Sequence, residues 1–513
     1  MARIAESFFG HAAQAPDKQA VWCEDATVTY GELAGIVERW SALLSRDGVC
    51  HGDHVGIILE NSIAFVAMML VASRLGLVLV PVSTSAPVRG VATLFDSARV
   101  RHLVTSRRWL TFAGHEPDFL VEGLVATVDE AADGCLYLGD ERFCHEEPPV
   151  LPEAADDAPY IFTMTSGSTG EPKPIILSQA TKYERALSAI ELYRISSSDR
   201  ILAATPLYHS LAERLAIVAM ISGATLVLKA RFSPEQWLEA LASQAVTFTI
   251  AVSSQLKQVA ERLGNRSGET FPHLRCVVSS SALLEPDIKR LLVRQLNCEF
   301  HECYGASEVA IVTNLDPAGA RDHVESVGKA IPGVELRILD DEGREIPVGE
   351  VGEIACRTPL AFSGYFGRPD VTADAFRHDF FLTGDLGKLD EEGFLYFMGR
   401  KKEVIISGGI NIYPQDIENV LRDHEGIVDA VAFPLDDDSL GEVVGVALVT
   451  DGGAEVPARA LRRYCAENLA DYQIPRAFFY IDSVPVNGMG KVMRSRAREM
   501  ALAVTEEREK RCA

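Results

Sequence analysis

The sequence of 513 residues is poor in two features that would narrow its function at once. Its ten cysteines include no Cys-x-x-Cys pair, so we expect reduced thiols and neither a disulfide framework nor a zinc ribbon. The one local grouping, Cys298, His301 and Cys303, is better explained by a strand and its following loop than by a metal site. Lys and Arg number 49 against 73 Asp and Glu, which gives a net charge of −24. Such a charge disfavours sequence-independent binding to nucleic acid.

Long apolar runs are also missing. The most apolar early stretch, Ala64 to Ser73, is cut by Arg74 and Gly76, which leaves it too short to span a bilayer. The first residues contain no basic region followed by an apolar core, the pattern of a secretory signal. We therefore expect a cytoplasmic protein with no membrane span.

Two familiar nucleotide-binding signatures are absent: the Walker motif, and the His-Arg-Asp and Asp-Phe-Gly stretches of protein kinases. The sequence instead has TMTSGSTGEPKP at 163–174. Its two prolines favour extended backbone on the lysine side, and apolar runs flank it, so we predict two strands joined by a glycine-rich loop. Gly167 and Gly170 allow backbone N–H groups to converge on an anion, to which Lys173 adds charge. A flexible surface hairpin is the alternative.

Helix and strand patterns alternate along most of the chain. A helical pattern from Tyr30, for instance, is followed by a strand at Val55 to Leu59 and a helix from about Ile63 to Arg74. This alternation predicts an α/β fold with largely parallel sheets, which bind ligands at the carboxyl ends of their strands. After about Ser326, short alternating segments predict a smaller β-rich unit. From Gly399 onward a compact pattern predicts a separate small α+β domain.

Four later stretches carry more turn and polar residues than a core needs. They are Tyr304-Gly305-Ala306-Ser307-Glu308, Thr383-Gly384-Asp385, Ser407-Gly408-Gly409 and Asn487-Gly488-Met489-Gly490-Lys491. A carboxylate beside a hydroxyl suits Mg²⁺, which binds one or two carboxylates beside phosphate oxygens. Each stretch alone also has an ordinary explanation: a helix N-terminal carboxylate, an Asx turn at the end of a strand, a flexible loop and a surface lysine.

Together with TSGSTGEPK and GRKKEVIISGG, these stretches resemble, in order and separation, the acyl-adenylate-forming superfamily. Its members include acyl-CoA synthetases, aryl-acid ligases, adenylation domains of peptide synthetases and beetle luciferases. The resemblance runs from about Ser7 to Arg494. It implies a large N-terminal domain over 1–399, made of two α/β subdomains and, from about 326, a small β-barrel. A mobile α+β domain over 400–513 follows, with a hinge near Lys402.

The resemblance implies an ATP site at the positions that match the family's motifs. The phosphate loop contributes Thr165, Ser166, Gly167, Ser168, Thr169, Gly170 and Lys173, and the remaining contacts come from Ser281, Ala282, Tyr304, Gly305, Ala306, Ser307, Asp385, Arg400 and Lys491. Tyr304 is expected to stack on adenine, while Asp385 and Arg400 bind ribose. Glu308, helped by Thr165, is expected to hold Mg²⁺.

The implied reaction has two steps. A carboxylic acid attacks the α-phosphorus of ATP to give acyl-AMP and pyrophosphate, and a pantetheine thiol then takes the acyl group. The expected catalytic residues are Lys491, Glu308, Thr165 and His209. Lys491 is expected to contact the carboxylate and the α-phosphate. Rotation of the C-terminal domain is expected to withdraw it and to bring Gly408 and Gly409 to the pantetheine channel.

The acyl pocket is expected to lie at a second set of residues. They are Tyr208, His209, Ser279, Ser280 and Gly305. Members that activate amino acids have an aspartate where His209 stands, so an acid without an α-amino group is favoured. Serines replace the more usual glycine pair here, which either narrows the pocket, makes it more polar or fits it to a bulky substrate. We favour a bulky hydrophobic acid of specialised metabolism.

The expected acceptor is coenzyme A, because GRKKEVIISGGINIYPQDIE looks most like the free-standing acyl-CoA synthetases. A carrier-protein pantetheine is the alternative acceptor. A non-catalytic nucleotide sensor is the alternative class, and it would be expected to lack Lys491 or Glu308, both of which are present. The expected ligands are therefore ATP, Mg²⁺, coenzyme A and a small carboxylic acid, bound by a monomer or homodimer.

Overall fold

The computed structural model describes residues 3–114, 120–140, 157–166, 172–264, 270–408, 410–451, 455–487 and 492–512. The chain divides into two compact units. The first consists of Met1–Ser280, Leu284–Val324 and Thr358–Phe376, and the second of Ser281–Leu283, Glu325–Arg357 and Arg377–Ala513. The domain boundary between 399 and 400 stays a prediction.

The helices of the first unit follow its strands in alternation. They are α1 (Arg3–Gln14), α2 (Tyr30–Arg46), α3 (Ile63–Leu75), α4 (Val88–Ser97), α5 (Arg107–Ala113), α6 (Gln179–Leu192), α7 (Ser210–Ser222), α8 (Pro234–Ser243), α9 (Ser253–Gly264), α10 (Pro286–Leu296), α11 (Gly319–Asp322) and α12 (Pro369–Asp374). Side chains cap several of them: Thr29 and Glu32 form a capping box at α2. The helices α3 and α7 are apolar on nearly every face and buried along almost their whole length, as expected for helices covered on all sides.

The strands of the first unit build two sheets. They are β1 (Gln19–Cys23), β2 (Ala26–Thr29), β3 (His54–Ile58), β4 (Val78–Pro81), β5 (His102–Thr105), β6 (Val125–Thr127), β7 (Leu136–Tyr137), β8 (Pro159–Ser166), β9 (Pro172–Ser178), β10 (Arg200–Ala203), β11 (Thr225–Leu228), β12 (Phe248–Val252), β13 (Cys276–Ser280), β14 (Glu299–Ala306) and β15 (Ala310–Leu315). One sheet has the order β7-β6-β5-β3-β4-β8-β9, and the other contains β15-β14-β13-β12-β10-β11-β1-β2. Most neighbours pair in parallel, whereas three pairs are antiparallel: β1 with β2, β8 with β9, and β14 with β15. The predicted α/β class is confirmed.

The second unit is richer in antiparallel strands. Its elements, with β19 at the point where the chain enters it from the first unit, are β16 (Lys329–Ala330), β17 (Glu335–Leu339), β18 (Gly352–Arg357), β19 (Phe376–Arg377), β20 (Phe380–Leu389), β21 (Leu395–Arg400), β22 (Ile405–Ser407), β23 (Ile410–Ile412), α13 (Pro414–Arg422), β24 (Ile427–Asp437), β25 (Gly441–Thr450), α14 (Ala458–Asn468), β26 (Ala477–Tyr480) and α15 (Arg494–Cys512). One sheet contains β17-β18-β20 with β21 beside β20, and the other has the order β23-β22-β25-β24 with β26 beside β25. A 3₁₀ turn, Lys401–Glu403, joins β21 to β22.

The expectation that Thr383-Gly384-Asp385 ends a strand is wrong. These residues lie inside β20, which continues to Leu389. Gly384 adopts a φ of +71° close to a register shift in the pairing of β20 with β18. A glycine at such an irregularity lets a strand bend and continue instead of stopping.

Candidate active site

The glycine-rich stretch connects the two strands of a β-hairpin. Thr165 pairs with Lys173, and Ser166 with Pro172, across antiparallel β8 and β9. The strands predicted on either side of the loop are therefore confirmed. The predicted phosphate-binding residues Gly167, Ser168, Thr169 and Gly170, and the side chains of Thr165 and Ser166, lie outside the described residues.

The strand β9, which carries Lys173, is bordered by the segment 363–366. Main-chain hydrogen bonds of 2.9 to 3.0 Å join this segment to Ile176 and Pro174. Tyr365 is thereby fixed beside the strand, and the Nζ of Lys173 lies 6.0 Å from the centroid of its ring. That distance is the outer limit of a cation–π contact. The main-chain hydrogen bonds between this segment and β9 place the Tyr365 hydroxyl close to the end of the predicted phosphate loop.

Glu308 lies in the turn between β14 and β15, not at a helix N-terminus, where a carboxylate of this kind is commonly found. The hydroxyl of Tyr365 donates a 2.9 Å hydrogen bond to its Oε1, and its Oε2 has no hydrogen-bond partner among the residues that the structure describes. The backbone N–H of Phe362 donates to the carbonyl of Glu308 at 2.7 Å. Burial and, after it, the carboxylate raise the pKa of Tyr365, so its hydroxyl stays a donor at neutral pH. A fixed carboxylate with one oxygen available fits a Mg²⁺ ligand.

Tyr365 is a site residue that sequence reasoning missed. It stands between Phe362 and Phe366, and a run of aromatics predicts core packing more than a hydroxyl contact. Its ring does pack edge-to-face on Phe362, with centroids 4.9 Å apart. Only the fold, which brings position 365 beside 308, reveals the hydrogen bond.

Gly305 is required by the backbone around it. A Cβ at this position would lie 1.8 Å from the carbonyl oxygen of Ala310, which no side chain tolerates. Ala310 itself adopts a φ of +61°, and Tyr304 is buried opposite Thr313 of β15. This tight hairpin presents residues 306–308 at the carboxyl end of β14, the edge where sheets of this kind bind ligands. The adenine contact of Tyr304 stays a prediction.

His209 forms the N-cap of α7 and packs on Tyr208, with ring centroids 4.5 Å apart. Burial lowers the pKa of His209 to about 4, so the imidazole is neutral at pH 7. Its Nε2 is buried and has no hydrogen-bond partner in the described part of the chain. A neutral ring with an available nitrogen can exchange a hydrogen bond with a carboxylate or an acyl carbonyl.

Asn61 holds the segment that leads into His209, and sequence reasoning missed it as well. Its Nδ2 donates to the carbonyls of Thr205 at 2.8 Å and Lys229 at 2.9 Å, and its Oδ1 accepts from the N–H of Leu207 at 2.6 Å. Three main-chain groups are thus satisfied by one buried amide. A polar residue three positions after the end of the apolar strand β3 is the sequence signal that could have identified it.

The predicted pocket serines differ in their surroundings. The hydroxyl of Ser279 is buried and lies 3.2 Å from that of Ser253 at the start of α9, and Ser253 also contacts the carbonyl of Ser280 at 3.2 Å. Ser281 adopts a φ of +79°, which glycine tolerates and which costs serine about 1 kcal/mol or more. A glycine at this position would avoid that cost, and the adjoining Ala282 is exposed.

The two predicted ribose-binding residues, both in the second unit, lie side by side. Asp385 and Arg400 face each other across β20 and β21, with Arg400 Nε 3.4 Å from an oxygen of Asp385. The backbone N–H of Asp385 also contacts the Thr383 hydroxyl at 3.2 Å. The sequence thus brings a carboxylate and a guanidinium together, a pair that can hydrogen-bond to hydroxyl groups.

The predicted hinge is held by ion pairs on both sides of Lys402. Lys401 Nζ contacts Asp341 at 2.8 Å and Glu353 at 2.9 Å. Glu403 pairs with Arg494 at 3.2 Å, and Arg494 also pairs with the buried Glu418 of α13. The side chain of Lys402 itself is exposed.

The two glycine loops of the second unit are described in part. Gly408 has a φ of +58° and a Cβ there would meet the side chain of Leu440 at 3.2 Å, while Gly409 lies outside the described residues. Val486 and Val492 form an antiparallel bridge that closes the stretch containing Lys491. Lys491, the predicted catalytic lysine, also lies outside the described residues.

One group of described side chains has ligand atoms close enough to hold a metal ion. Those of Cys276, Glu299 and His301 lie within 4.8 Å of one another. Arg194, however, contacts both carboxylate oxygens of Glu299 at 2.5 Å, and burial raises the pKa of the Cys276 thiol, keeping it protonated. An ion pair therefore accounts for Glu299.

Among the described residues, no helix combines the length and apolar character needed to cross a bilayer. Two sequence profiles match the chain: that of the AMP-binding enzyme family over residues 8–366 and that of the AMP-binding enzyme C-terminal domain over residues 416–491. These ranges include the hairpin, Glu308, Tyr365 and Lys491.

Relatives align over nearly the whole chain. Indoleacetate–CoA ligase of Aromatoleum aromaticum is 29% identical over 98% of this chain and 99% of its own length. Fatty acid–[acyl-carrier-protein] ligase ScoC of Streptomyces coeruleorubidus is 28% identical over 95% and 94%. The structure of O-succinylbenzoate coenzyme A synthetase (MenE) from Bacillus subtilis with ATP and magnesium superposes with a TM-score of 0.83 at 28% identity, covering 96% of this chain and 99% of that one. The chain belongs to the AMP-binding enzyme family of adenylate-forming acid–thiol ligases.

Proposed function

We propose that the protein activates a carboxylic acid with ATP and transfers the acyl group to coenzyme A. The observation that carries this proposal is the link from Glu308 through Tyr365 to β9. It joins a carboxylate with one available oxygen to the strand that bears Lys173 and follows the glycine-rich loop. A fixed carboxylate, a lysine and a loop of N–H donors are the groups needed to bind a metal-bound triphosphate.

In the first step, a carboxylate oxygen of the acid bonds to the α-phosphorus of ATP while the bond to pyrophosphate breaks. Both reactants are anionic, so positive charge and alignment are the main requirements. We assign the charge to Lys173 and Lys491 and the metal contact to Glu308 with Thr165. Mg²⁺, when bound, neutralises charge on the phosphate oxygens. The neutral imidazole of His209 supplies a hydrogen bond that orients the acid.

In the second step, the thiol sulfur bonds to the acyl carbon, the thiol proton is released and AMP leaves. Gly408 and Gly409 have no side chains, and we assign them to the passage for the pantetheine arm. Coenzyme A is favoured because the similar indoleacetate and succinylbenzoate ligases use it. ScoC, which uses an acyl-carrier protein, supports the alternative acceptor.

The proposed substrate is an acid without an α-amino group. His209 offers a neutral nitrogen where a substrate ammonium would need a carboxylate, because its lowered pKa leaves it uncharged at pH 7. A bulky hydrophobic acid remains our choice within that class.

The test is mass spectrometry of products formed with ATP, Mg²⁺ and a panel of fatty, aryl and polycyclic acids, each with and without coenzyme A. We expect acyl-CoA for one acid class and acyl-AMP when coenzyme A is withheld. Acyl-AMP that persists despite coenzyme A would assign the acceptor to a carrier protein. ATP binding with no product from any acid would favour the nucleotide sensor.

Two variants make this test specific to the assigned site. Glu308→Gln removes the charge and keeps the shape, and we expect adenylation to fall about a hundredfold or more. Glu299→Gln is the matched control, since it makes the same change at the start of β14, the strand that leads into the turn of Glu308, where the carboxylate pairs with Arg194. Equal losses in both variants would contradict the role of Glu308.

A further inference from the structure

Arg185 is a buried arginine of α6 with no part in the site described above. Its side chain is 3% exposed, and its three guanidinium nitrogens donate to three main-chain carbonyls. The distances are 2.8 Å from Nε to Leu360, 2.9 Å from Nη1 to Ser307 and 2.7 Å from Nη2 to Glu308. Among the described residues it forms no ion pair.

Burying a full charge without a paired carboxylate carries a desolvation cost. Burial lowers the pKa of Arg185 to about 9, and repulsion by Arg214 is the next largest cause. The nearby carboxylate of Glu213 is paired with Lys182 at 2.7 Å, and both of these side chains are buried. Arg185 therefore donates its hydrogen bonds to the three main-chain carbonyls instead. A planar guanidinium that engages all its nitrogens fixes geometry in a way that a lysine does not.

The three carbonyls belong to the two segments that control Glu308. Ser307 and Glu308 form the turn that carries the carboxylate. Leu360 lies in the segment 358–376, whose Tyr365 donates to the carboxylate and whose Phe362 donates to the main chain of Glu308. One guanidinium therefore holds both the turn that carries the Glu308 carboxylate and the segment whose Tyr365 hydroxyl binds that carboxylate.

We propose that Arg185 is a positioning residue for the divalent cation, acting through Glu308; this rests on the proposed role of Glu308 in holding Mg²⁺. Mg²⁺ demands near-ideal octahedral geometry, so a small displacement of Oε2 weakens its binding. Residues that orient a metal ligand commonly contribute 10- to 100-fold to metal affinity. Arg185 does so by holding the main chain of the ligand.

The experiment measures Mn²⁺ bound by the full-length protein with ATP, by electron paramagnetic resonance and without any acid, so that no turnover occurs. Arg185→Lys keeps the positive charge but cannot make the three hydrogen bonds of the planar guanidinium. We expect it to weaken Mn²⁺ binding about tenfold and to raise the Mg²⁺ concentration for half-maximal pyrophosphate release by a similar factor. Arg185→Gln, which leaves no unpaired buried cation, gives the same comparison if Arg185→Lys does not fold.

The control is Arg275→Lys in the same unit. Arg275 contacts the buried Asp199 at 2.8 Å and the carbonyl of Tyr193 at 2.8 Å, so its loss lowers the melting temperature while Mn²⁺ affinity stays within about twofold. Arg185 variants that melt earlier yet bind Mn²⁺ as wild type does would overturn the proposal and leave Arg185 a purely structural residue. Wild-type protein that binds no Mn²⁺ with ATP would overturn the metal site at Glu308 and, with it, this role of Arg185.

Discussion

Two parts of the molecule hold their assigned residues by opposite means. The carboxylate turn, residues 304–308, is fixed by hydrogen bonds from a buried guanidinium and a phenol to carbonyls and one carboxylate. The crossover segment, residues 400–403, is fixed by ion pairs whose partners include solvent-exposed groups, such as Asp341 with a side chain 85% exposed.

The difference indicates what each part is suited to do. Buried hydrogen bonds are screened little by salt and are costly to break, so they suit a ligand whose position must not change. Exposed ion pairs are worth about 0–1 kcal/mol each and can exchange partners. The hinge predicted near Lys402 lies next to one such pair, Lys401 with Asp341, whereas Glu403 pairs with the largely buried Arg494. The crossover segment should therefore respond to salt and to backbone stiffness, and the carboxylate turn should be little affected by salt.

The largest expected effect comes from Lys491→Ala. If the crossover segment allows the C-terminal domain to serve the two steps in turn, this lysine is needed for adenylation alone. We expect adenylation to lose about 3–4 kcal/mol of transition-state stabilisation, a factor of a hundred to a thousand. Thioester formation from supplied acyl-AMP should be spared. Equal loss of both half-reactions, measured separately, would contradict a division of labour between two conformations.

A smaller effect, on stability, is expected from His209→Asn. The pKa of His209 is about 4 in the folded protein against 6.5 in the unfolded chain, so between these values the unfolded chain binds a proton that the folded one does not. Stability therefore falls as pH drops through this window, by about 2–3 kcal/mol between pH 7 and 4.5. Urea unfolding of the variant should lack this component.

The control for this prediction is His273→Asn, because His273 is exposed. Its unfolding free energy should follow the wild-type pH dependence. A His209→Asn variant that also follows the wild-type curve would mean that the His209 ring is solvated in solution, and that the first unit is less closed around its site than the carboxylate turn suggests.

The sequence predicted the fold class and the hairpin around the glycine-rich loop, because strand periodicity and glycine–proline punctuation are local signals. It did not predict Tyr365, Asn61 or Arg185. Each acts on main-chain or carboxylate atoms that are distant in the sequence, 57 residues away for Tyr365 and more than a hundred for Asn61 and Arg185. Nothing in a tyrosine among phenylalanines or an arginine on a helix marks such a contact. The error at Thr383–Asp385 has a related cause: these residues locally suit an Asx turn at a strand end, whereas in the fold Gly384 only bends β20, which continues to Leu389.

Lys402→Pro tests the stiffness of the crossover segment. Proline fixes its own φ and restricts Lys401 before it, within the 3₁₀ turn Lys401–Glu403. We expect overall turnover to fall about tenfold, with the loss concentrated in one half-reaction. Lys402→Ala, which leaves the backbone unrestricted, should behave as wild type because the side chain is exposed. An unchanged overall rate in the proline variant would remove Lys402 from the hinge.

The smallest effect, and the most direct test of the contrast, is expected from Lys401→Met, which keeps the length of the side chain and removes its pairs with Asp341 and Glu353. At low ionic strength we expect a loss of about 0.5–1 kcal/mol in the free energy of unfolding. Glu353 keeps its hydrogen bond from the N–H of Gly384, which limits the loss. At about 1 M salt, where charges are screened within a few ångströms, wild type and variant should be equally stable. A loss that persists at high salt would mean that the crossover segment is held as firmly as the carboxylate turn, and the hinge would then have to lie elsewhere in the second unit.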